Sequence, residues 1–284
     1  MIDMIEARII GQQISDNLVG NKIAVAELAD KKKGSMRDAY LLHVKPDEFK
    51  LRLEGASLTS AYGKYRHICI ETNSGYGLDL ADIYGKLLFI EKGEKIPGNP
   101  PISLRFDDGS SFIVLPGVWG AMGLTSNKQL QEFRESNDPD ILDIFSDSLT
   151  ASAMKGLMQK DEFKESNIKQ LLSKHSKPGI MSLMGAYSQE VLYVAGIHPK
   201  KNVNMLSDSE IEKLCIAIKD VASKAIELKG RVSERDLFNN PGGFVPYLSS
   251  DTVGKACVVC GSIIKVMNMG GAGKFYICPG CQTL

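Results

Sequence analysis

Four of the six cysteines stand in two Cys-x-x-Cys pairs near the end of this 284-residue sequence. Cys257 and Cys260 form the first pair, and Cys278 and Cys281 form the second. A spacing of two residues lets both thiolates of a pair point at one ion, and four thiolates complete the closed tetrahedral shell of a structural zinc site. Because that shell leaves no open position for a substrate, we predict that one zinc ion shapes the tail and that any catalysis lies elsewhere.

The same cysteines could instead form two disulfides in a secreted protein, or a thioredoxin-like redox pair. The sequence opens with no signal-peptide pattern, and Cys69 and Cys215 have no evident disulfide role, which suits a reducing compartment. Two matched pairs also exceed what a redox motif requires. The sequence therefore favours the zinc site and predicts a cytoplasmic protein.

Positive charge is concentrated in two regions of a chain whose formal net charge is zero. Residues 151–206 contain eight lysines and four acidic residues, and residues 254–284 contain three lysines (Lys255, Lys265 and Lys274) and no acidic residue. Such a distribution indicates a surface that faces a polyanion, although solvated lysines without a partner would give the same counts. The sequence has no apolar run long enough to span a membrane.

The first 135 residues predict one helix followed by a β-sandwich or barrel. Apolar residues recur at helical spacing before Gly20, at Ile5, Ile9, Ile14 and Leu18. The following runs are short and rich in β-branched or aromatic residues: KYRHICIE, YGLDLADI, KLLFI, ISLRF and SFIVL. Asp107–Ser110 separates the last two runs and is typical of a hairpin turn.

The second half of the sequence changes to a helical pattern and ends in a ribbon. The polar stretch ESNDPDILD at residues 135–143 is a candidate linker. A capping box at Ser207–Glu210 opens an apolar stripe that Gly230 ends. We therefore predict an α+β fold with an N-terminal helix and β-sandwich domain at 1–135, a helical domain at 149–248 and a zinc β-ribbon at 254–284. In the ribbon, SIIKVM and KFYIC are the predicted strands and NMGGAG the turn.

This order of elements, together with several strings, resembles the formamidopyrimidine-DNA glycosylase and endonuclease VIII family. EVLYVAGIHPKKNVNMLSDSEIEKL is similar to the second helix and exit of the family's helix–two-turn–helix domain. GKACVVCGSIIKV and FYICPGCQ resemble its zinc finger. YGKYRHICIE resembles its lysine-bearing strand, and MIDMIEARI resembles its opening.

The resemblance implies a DNA-repair enzyme that flips an oxidised base out of duplex DNA, excises it and cuts the strand at the abasic sugar. An amine forms a Schiff base with the sugar while a neighbouring carboxylate moves protons. Asp3 stands at the position of the family's catalytic glutamate, Glu6 matches its second acid, and Lys64 matches its strand lysine. Lys64 is thus expected to contact DNA or to serve as a substitute nucleophile, and Trp119 and Lys274 are the other expected DNA contacts.

The sequence departs from the family at several of these positions. Ile2 replaces the proline whose amine is the usual nucleophile, and Asp3 is one methylene shorter than glutamate. Gly185 falls where the family has a phosphate-binding asparagine. The loop that fills the gap left by the flipped base lacks both of its arginines, although Trp119 could still act as a wedge. Lys274 adjoins the place of the finger's arginine.

Three functions remain open on the sequence alone. The first is a divergent DNA glycosylase, a monomer associated with the nucleoid, whose strand-cutting activity is in question because of Ile2. The second is a non-catalytic protein that binds DNA lesions or structures on the same fold. The third is a zinc-ribbon protein that binds RNA or a protein. Each site residue also has a plain structural alternative: Asp3 and Glu6 could simply favour the start of a helix, Lys64 could be a solvated strand lysine, and Trp119 a core residue.

Overall fold

The computed structural model describes residues 1–29, 44–136, 141–173, 179–180, 183, 185–269 and 274–284. The chain divides into two compact units. Unit 1 comprises Met1–Ser136 and Leu228–Phe244, and unit 2 comprises Asn137–Glu227 and Val245–Leu284. Residues 228–244, which the sequence places in the helical domain, thus pack in unit 1, because ionic and amide contacts tie them to the first helix.

Unit 1 begins with helix α1 (Met4–Leu18), which confirms the predicted N-terminal helix. One face of α1 is buried in the main hydrophobic core of the unit, at Ala7, Ile10, Ile14 and Leu18. The strands supply the rest of this core, with Ile68, Ile70, Leu78 and Leu80 among them. Burial of this apolar stripe is the main reason that the helix stays on the sheet.

A six-stranded antiparallel sheet forms the body of unit 1, in the order β1-β5-β6-β4-β3-β2. The strands are β1 (Ile23–Leu28), β2 (Leu58–Lys64), β3 (His67–Thr72), β4 (Tyr76–Ile90), β5 (Ile102–Phe106) and β6 (Ser111–Ser126). Backbone hydrogen bonds also join residues 20–23 to residues 55–58, so the ends of β1 and β2 meet. The sheet therefore curls toward closure, in keeping with the predicted sandwich or barrel.

The strand boundaries differ from the sequence runs in two places. KYRHICIE contains a tight turn between β2 and β3, where Tyr65 has a positive φ of 56°. YGLDLADI and KLLFI form the single strand β4, whose pairing with β6 is irregular between Ala81 and Gly85. Asp82 has a φ of 54° within that irregular stretch, so a local backbone bend, rather than a loop, joins the two runs.

Two helices of unit 1 have no counterpart among the predicted elements. Helix α2 (Pro46–Leu53) begins with a proline and buries Phe49 and Leu53. Helix α3 (Asn127–Glu135) follows β6 directly and begins with a capping box of Ser126 and Gln129. The predicted hairpin at Asp107–Ser110 is confirmed, because β5 and β6 pair on either side of it.

Unit 2 contains helices α4 (Ala151–Met158), α5 (Ile168–Ser173), α6 (Gly185–Val194) and α7 (Asp208–Glu227), with a 3₁₀ turn at Val203–Met205. Strands β7 (Ile141–Leu142) and β8 (Gly179–Ile180) form a short parallel pair. The capping box before α7 is confirmed: Glu210 N donates to Ser207 Oγ, and Ser207 N donates to the Glu210 carboxylate. The predicted apolar stripe of α7 is buried.

The C-terminal ribbon of unit 2 is a hairpin of β9 (Lys265–Asn268) and β10 (Lys274–Ile277). The predicted turn between them, and the predicted linker at 135–143, lie partly outside the described residues. Among the helices that the structure describes, none is long and apolar enough to cross a membrane.

Candidate active site and metal centre

Asp3 and Glu6 form a capping box at the start of α1. The Asp3 carboxylate accepts a hydrogen bond from Met4 N at 2.7 Å, and the Glu6 carboxylate accepts one from Asp3 N at 3.2 Å. Both side chains are buried, Asp3 completely. The plain structural role of these acids, as helix caps, is therefore real, and it brings two carboxyl groups together away from solvent.

Arg231 is the cationic partner of this pair. Its Nε lies 3.0 Å from Glu6 Oε1 and its Nη2 lies 3.2 Å from Glu6 Oε2, a fork-to-carboxylate geometry. The backbone N–H of Arg231 donates to Glu6 Oε1 as well, at 3.2 Å. Only 10% of the Arg231 side chain is exposed, so this ion pair is largely removed from water.

The electrostatic setting of Asp3 differs from that of an ordinary aspartate. Burial, and then the neighbouring Glu6 carboxylate, raise the pKa of Asp3 from 3.8 to about 7, while Arg231 and the Met4 amide oppose the rise. A carboxyl group with this pKa can exchange a proton near neutral pH, as general acid or base catalysis requires.

The residues before Asp3 are also held in place. The Ile2 side chain is buried, and its N–H donates to the Ile83 carbonyl of β4 at 2.9 Å. Arg231 Nη2 donates to the Met1 carbonyl at 2.9 Å, and the Met1 nitrogen lies 2.9 Å from Glu234 Oε1. Two side chains from residues 228–244 thus fix the position of the residues before α1.

Lys64 contacts the C-terminal end of α3. Its ammonium group donates to the carbonyls of Phe133, Arg134 and Ser136, at 2.7 to 2.8 Å, where α3 ends. Those carbonyls are the unpaired acceptors that a helix C-terminus exposes, and a cation there is favoured. In this structure the Lys64 ammonium group caps the C-terminus of α3.

The other two expected DNA contacts lie in separate units. Trp119 is part of β6, and its backbone pairs with Tyr84 of β4, but its side chain lies outside the described part of the molecule. Lys274 opens β10 in the ribbon and is exposed, as are Lys255 and Lys265. The ribbon therefore presents lysines to solvent, as the charge distribution suggested.

The four predicted cysteine ligands come together in the ribbon. Their sulfur atoms all lie within 4.8 Å of one another, and none is in a disulfide. Cys257 and Cys281 are 3.7 Å apart between sulfurs, and Cys260 and Cys278 are 3.3 Å apart. A metal with tetrahedral sulfur bonds of about 2.3 Å requires sulfur separations of about 3.8 Å, so the cluster can hold one ion.

Buried polar side chains of α6 fasten the ribbon within unit 2. Gln189 Nε2 donates to the Leu248 carbonyl at 2.6 Å, and its Oε1 accepts from Tyr276 N of β10 at 2.7 Å. Glu190 accepts hydrogen bonds from the N–H groups of Tyr247 and Leu248. Burial raises the pKa of Glu190 to about 7 against the effect of those two amides.

Comparison with individual known proteins identifies the family, although no family model matches the chain. A formamidopyrimidine-DNA glycosylase of Rickettsia conorii is 36% identical over 222 residues, which cover 76% of this chain and 78% of the relative. Proteins of the same name from Rickettsia africae and Listeria innocua are 27% and 25% identical over 287 and 244 residues, covering 99% and 84% of this chain and 99% and 86% of those relatives.

The chain belongs to the formamidopyrimidine-DNA glycosylase family. The fold agrees, because a Lactococcus lactis member solved in complex with DNA containing an abasic site superposes with a TM-score of 0.83 over 99% of this chain and 100% of the other, at 20% identity. Another Lactococcus lactis structure, a mutant with DNA that contains Fapy-dG, gives the same score and coverage.

The acids that the sequence analysis matched to the family lie at the start of α1, and the four cysteines lie together in the ribbon. Ile2, which the resemblance places at the family's proline position, is buried. Gly185, at the expected position of the phosphate-binding asparagine, is the exposed first residue of α6.

Sequence reasoning missed Arg231, Glu234, Gln189 and Glu190. The first two lie in RVSERD just after the end of a helix, where a charged loop gives no sign of its partner. The other two sit among apolar residues in YSQEVLYV, and adjacent polar residues inside an apolar helix were the available signal.

Proposed function

We propose that this protein is a DNA glycosylase that binds damaged duplex DNA, accommodates a flipped base and releases it by hydrolysis. The observation that carries this proposal is the buried cluster of Asp3, Glu6 and Arg231 at the start of α1. Asp3 would transfer the proton, because a carboxyl group with a pKa near 7 is present in both protonation states at neutral pH. Glu6 would keep Asp3 in position, because its carboxylate accepts a hydrogen bond from Asp3 N in the same capping box.

Hydrolysis fits this chain better than attack by an amine. The expected substitute nucleophile, Lys64, has its ammonium group bonded to three carbonyls of α3. An amine whose hydrogens are donated to three carbonyls would have to leave those partners before it could attack a sugar and form a Schiff base. Strand cutting by Lys64 is therefore not part of the proposed activity. A contact between Lys64 and a DNA phosphate would likewise require its ammonium group to leave those carbonyls.

In this proposal the ribbon contacts the DNA, and a zinc ion stabilises the fold of the ribbon. Cys257, Cys260, Cys278 and Cys281 are the proposed ligands, since a four-thiolate tetrahedral site is characteristic of structural zinc. Lys274 is the proposed phosphate contact, and Trp119 the proposed wedge in the base stack. We expect the protein to act as a monomer on nucleoid DNA in the cytoplasm.

A non-catalytic lesion-binding protein is the second candidate. Its supporting observation is that Asp3 is fully buried and already bonded as a helix cap, so a substrate does not reach it in the arrangement described. On this alternative, the fold binds a flipped or missing base and releases nothing.

Base release from duplexes that each carry one defined lesion tests the two candidates. A panel of Fapy-dG, an oxidised pyrimidine and an intact control is incubated with wild type and Asp3→Asn, which keeps the shape of the side chain but cannot exchange the proton. We expect release from at least one lesion, reduced by about 10²-fold or more in Asp3→Asn. Tight lesion binding without release in either protein would select the binding protein.

Borohydride trapping on an abasic-site duplex, with wild type beside Lys64→Ala, tests the amine route separately. We expect no covalent complex through Lys64. A trapped complex that disappears in Lys64→Ala would instead establish strand-lysine chemistry. Intact mass of the purified protein identifies the N-terminal residue, so a complex that persists in the mutant can be mapped to the amine that forms it.

A further inference from the structure

The two buried carboxyl groups at the start of α1 have unequal partners. Glu6 meets the Arg231 guanidinium with both of its oxygens, whereas Asp3 accepts from backbone amides of its own helix and responds less to the charge of Arg231 than to burial and to Glu6. We propose that Arg231 divides the roles of the two acids: it holds Glu6 as a permanent anion and leaves Asp3 as the group that exchanges the proton. The proposal rests on the proposed function, in which Arg231 is a positioning residue rather than a catalytic one.

The contacts of Glu6 define the anion. Its carboxylate accepts from Arg231 Nε at 3.0 Å, Arg231 Nη2 at 3.2 Å, and the Arg231 and Asp3 backbone N–H groups, each at 3.2 Å. All of these groups are donors, so a proton on Glu6 would oppose one of them. Charge-assisted, bidentate contacts of this kind stabilise the ionised form strongly in a buried site.

Removing Arg231 would make the two acids nearly equivalent. Two carboxyl groups that share a hydrogen-bonded cap in a buried site do not ionise independently, and without a cation they share one proton. The proton would then be divided between Glu6 and Asp3 instead of residing on Asp3. When the surroundings of two neighbouring acids give them different pKa values, one acid can serve in proton transfer while the other stays ionised.

The other charged groups around Asp3 cannot replace Arg231 in this role. Arg66, in the turn between β2 and β3, also acts on Asp3, but its Nη2 pairs with Asp82 Oδ1 at 2.9 Å. Glu234 Oε1 lies 3.6 Å from Arg231 Nη2, and its carboxylate adds negative charge. Arg231 also donates to the Met1 carbonyl, so one side chain orients both Glu6 and the chain that enters Asp3.

Carbon-13 NMR of the side-chain carboxyl carbons tests the proposal without relying on activity. The full-length protein is labelled at aspartate and glutamate carboxyls, and Asp3→Asn and Glu6→Gln assign the two signals. We expect the Asp3 signal to titrate with a midpoint near 7 while the Glu6 signal stays constant from about pH 5 to about pH 9. In Arg231→Met, we expect Glu6 to titrate within that range.

Two further variants keep the test interpretable. Arg231→Lys retains a cation and should keep Glu6 constant in the same pH range even if Arg231→Met does not fold. Lys229→Gln removes an exposed positive charge that lines the same small cavity as Glu6, and should leave both titrations unchanged. The proposal is overturned if Glu6 titrates in wild type over this range, or if Arg231→Met folds and leaves both signals unchanged.

The pH profile of base release separates this proposal from the proposed function. We expect Arg231→Met to lower release by about tenfold or more and to shift the profile, with partial recovery in Arg231→Lys. Absence of release from wild type, with the expected NMR titrations, would reject the glycosylase while leaving the assignment of the two acids intact. Release that is independent of Arg231, with an unchanged profile, would reject the positioning role alone.

Discussion

The backbone of Gly63 in β2 lies directly against the backbone of Ala7 in α1, so closely that a Cβ on Gly63 would overlap the Ala7 carbonyl. Gly11, one turn further along α1, makes the same kind of approach to the Tyr62–Gly63 peptide. Two glycines therefore set the distance between α1, the helix that Asp3 caps, and the sheet.

Gly63→Ala should destabilise the protein by about 3 kcal/mol or more, because helix and strand must separate to admit a methyl group. Chemical denaturation measures the change in the free energy of unfolding. Gly156→Ala is the matched control: Gly156 lies in α4, a Cβ there meets nothing within 4 Å, and the change should stabilise by up to about 1 kcal/mol. Equal effects of the two substitutions would contradict the close approach.

The free energy of unfolding should fall as pH rises from about 4 to about 7. The folded-state pKa values of Asp3 and Glu190 are both raised to about 7, so in this range the native state binds more protons than the unfolded state. The slope for each group is at most about 1.4 kcal/mol per pH unit. Denaturation at pH 5 and pH 8 measures it.

Asp3→Asn should make this slope shallower, since asparagine does not titrate. Asp16→Asn, on the exposed side of the same helix, should leave the slope as it is in wild type. If the free energy of unfolding of wild type rises with pH instead, the carboxyl groups of Asp3 and Glu190 do not dominate its pH dependence.

Lys64→Met should affect stability rather than chemistry. Loss of the ammonium group removes one donor from each of three carbonyls at the end of α3, of which the Phe133 carbonyl keeps the Ser136 hydroxyl as a donor. We expect a cost of about 1 to 3 kcal/mol. Base release per folded molecule should stay within about twofold of wild type. Lys128→Met, on the exposed side of α3, should cost less than about 0.5 kcal/mol. Unchanged stability with lost activity would instead place Lys64 at the reacting sugar.

Loss of metal should release the ribbon without unfolding unit 1. We expect elemental analysis to find one zinc per chain in wild type and none in Cys257→Ser. Duplex affinity should fall by about tenfold, and the dependence of affinity on salt should weaken as lysine–phosphate contacts are lost. Cys215→Ala, which removes a buried thiol outside the cluster, should keep both metal and affinity. Full affinity without metal would show that the ribbon does not hold DNA.

Patterns among residues that are close along the chain correctly predicted several elements of this molecule. The helical spacing before Gly20, the capping box before α7, the hairpin at Asp107–Ser110 and the two cysteine pairs each concern residues that are close along the chain. Their geometry is fixed by helix and strand periods, by turn chemistry and by the reach of two thiolates. The carboxyl groups at the start of α1 were predictable for the same reason.

Only the tertiary structure decided which partners those residues meet. Arg231 reaches Glu6 across 225 positions in sequence, and Lys64 reaches the end of α3 across about 70. Such pairings depend on how the whole chain returns on itself, which neither periodicity nor composition encodes. The sequence by itself determined that two acids begin α1 and that four cysteines can bind a metal. The fold decided that Arg231 meets the Glu6 carboxylate in a buried site, because burial and long-range charge arise only when distant segments pack together.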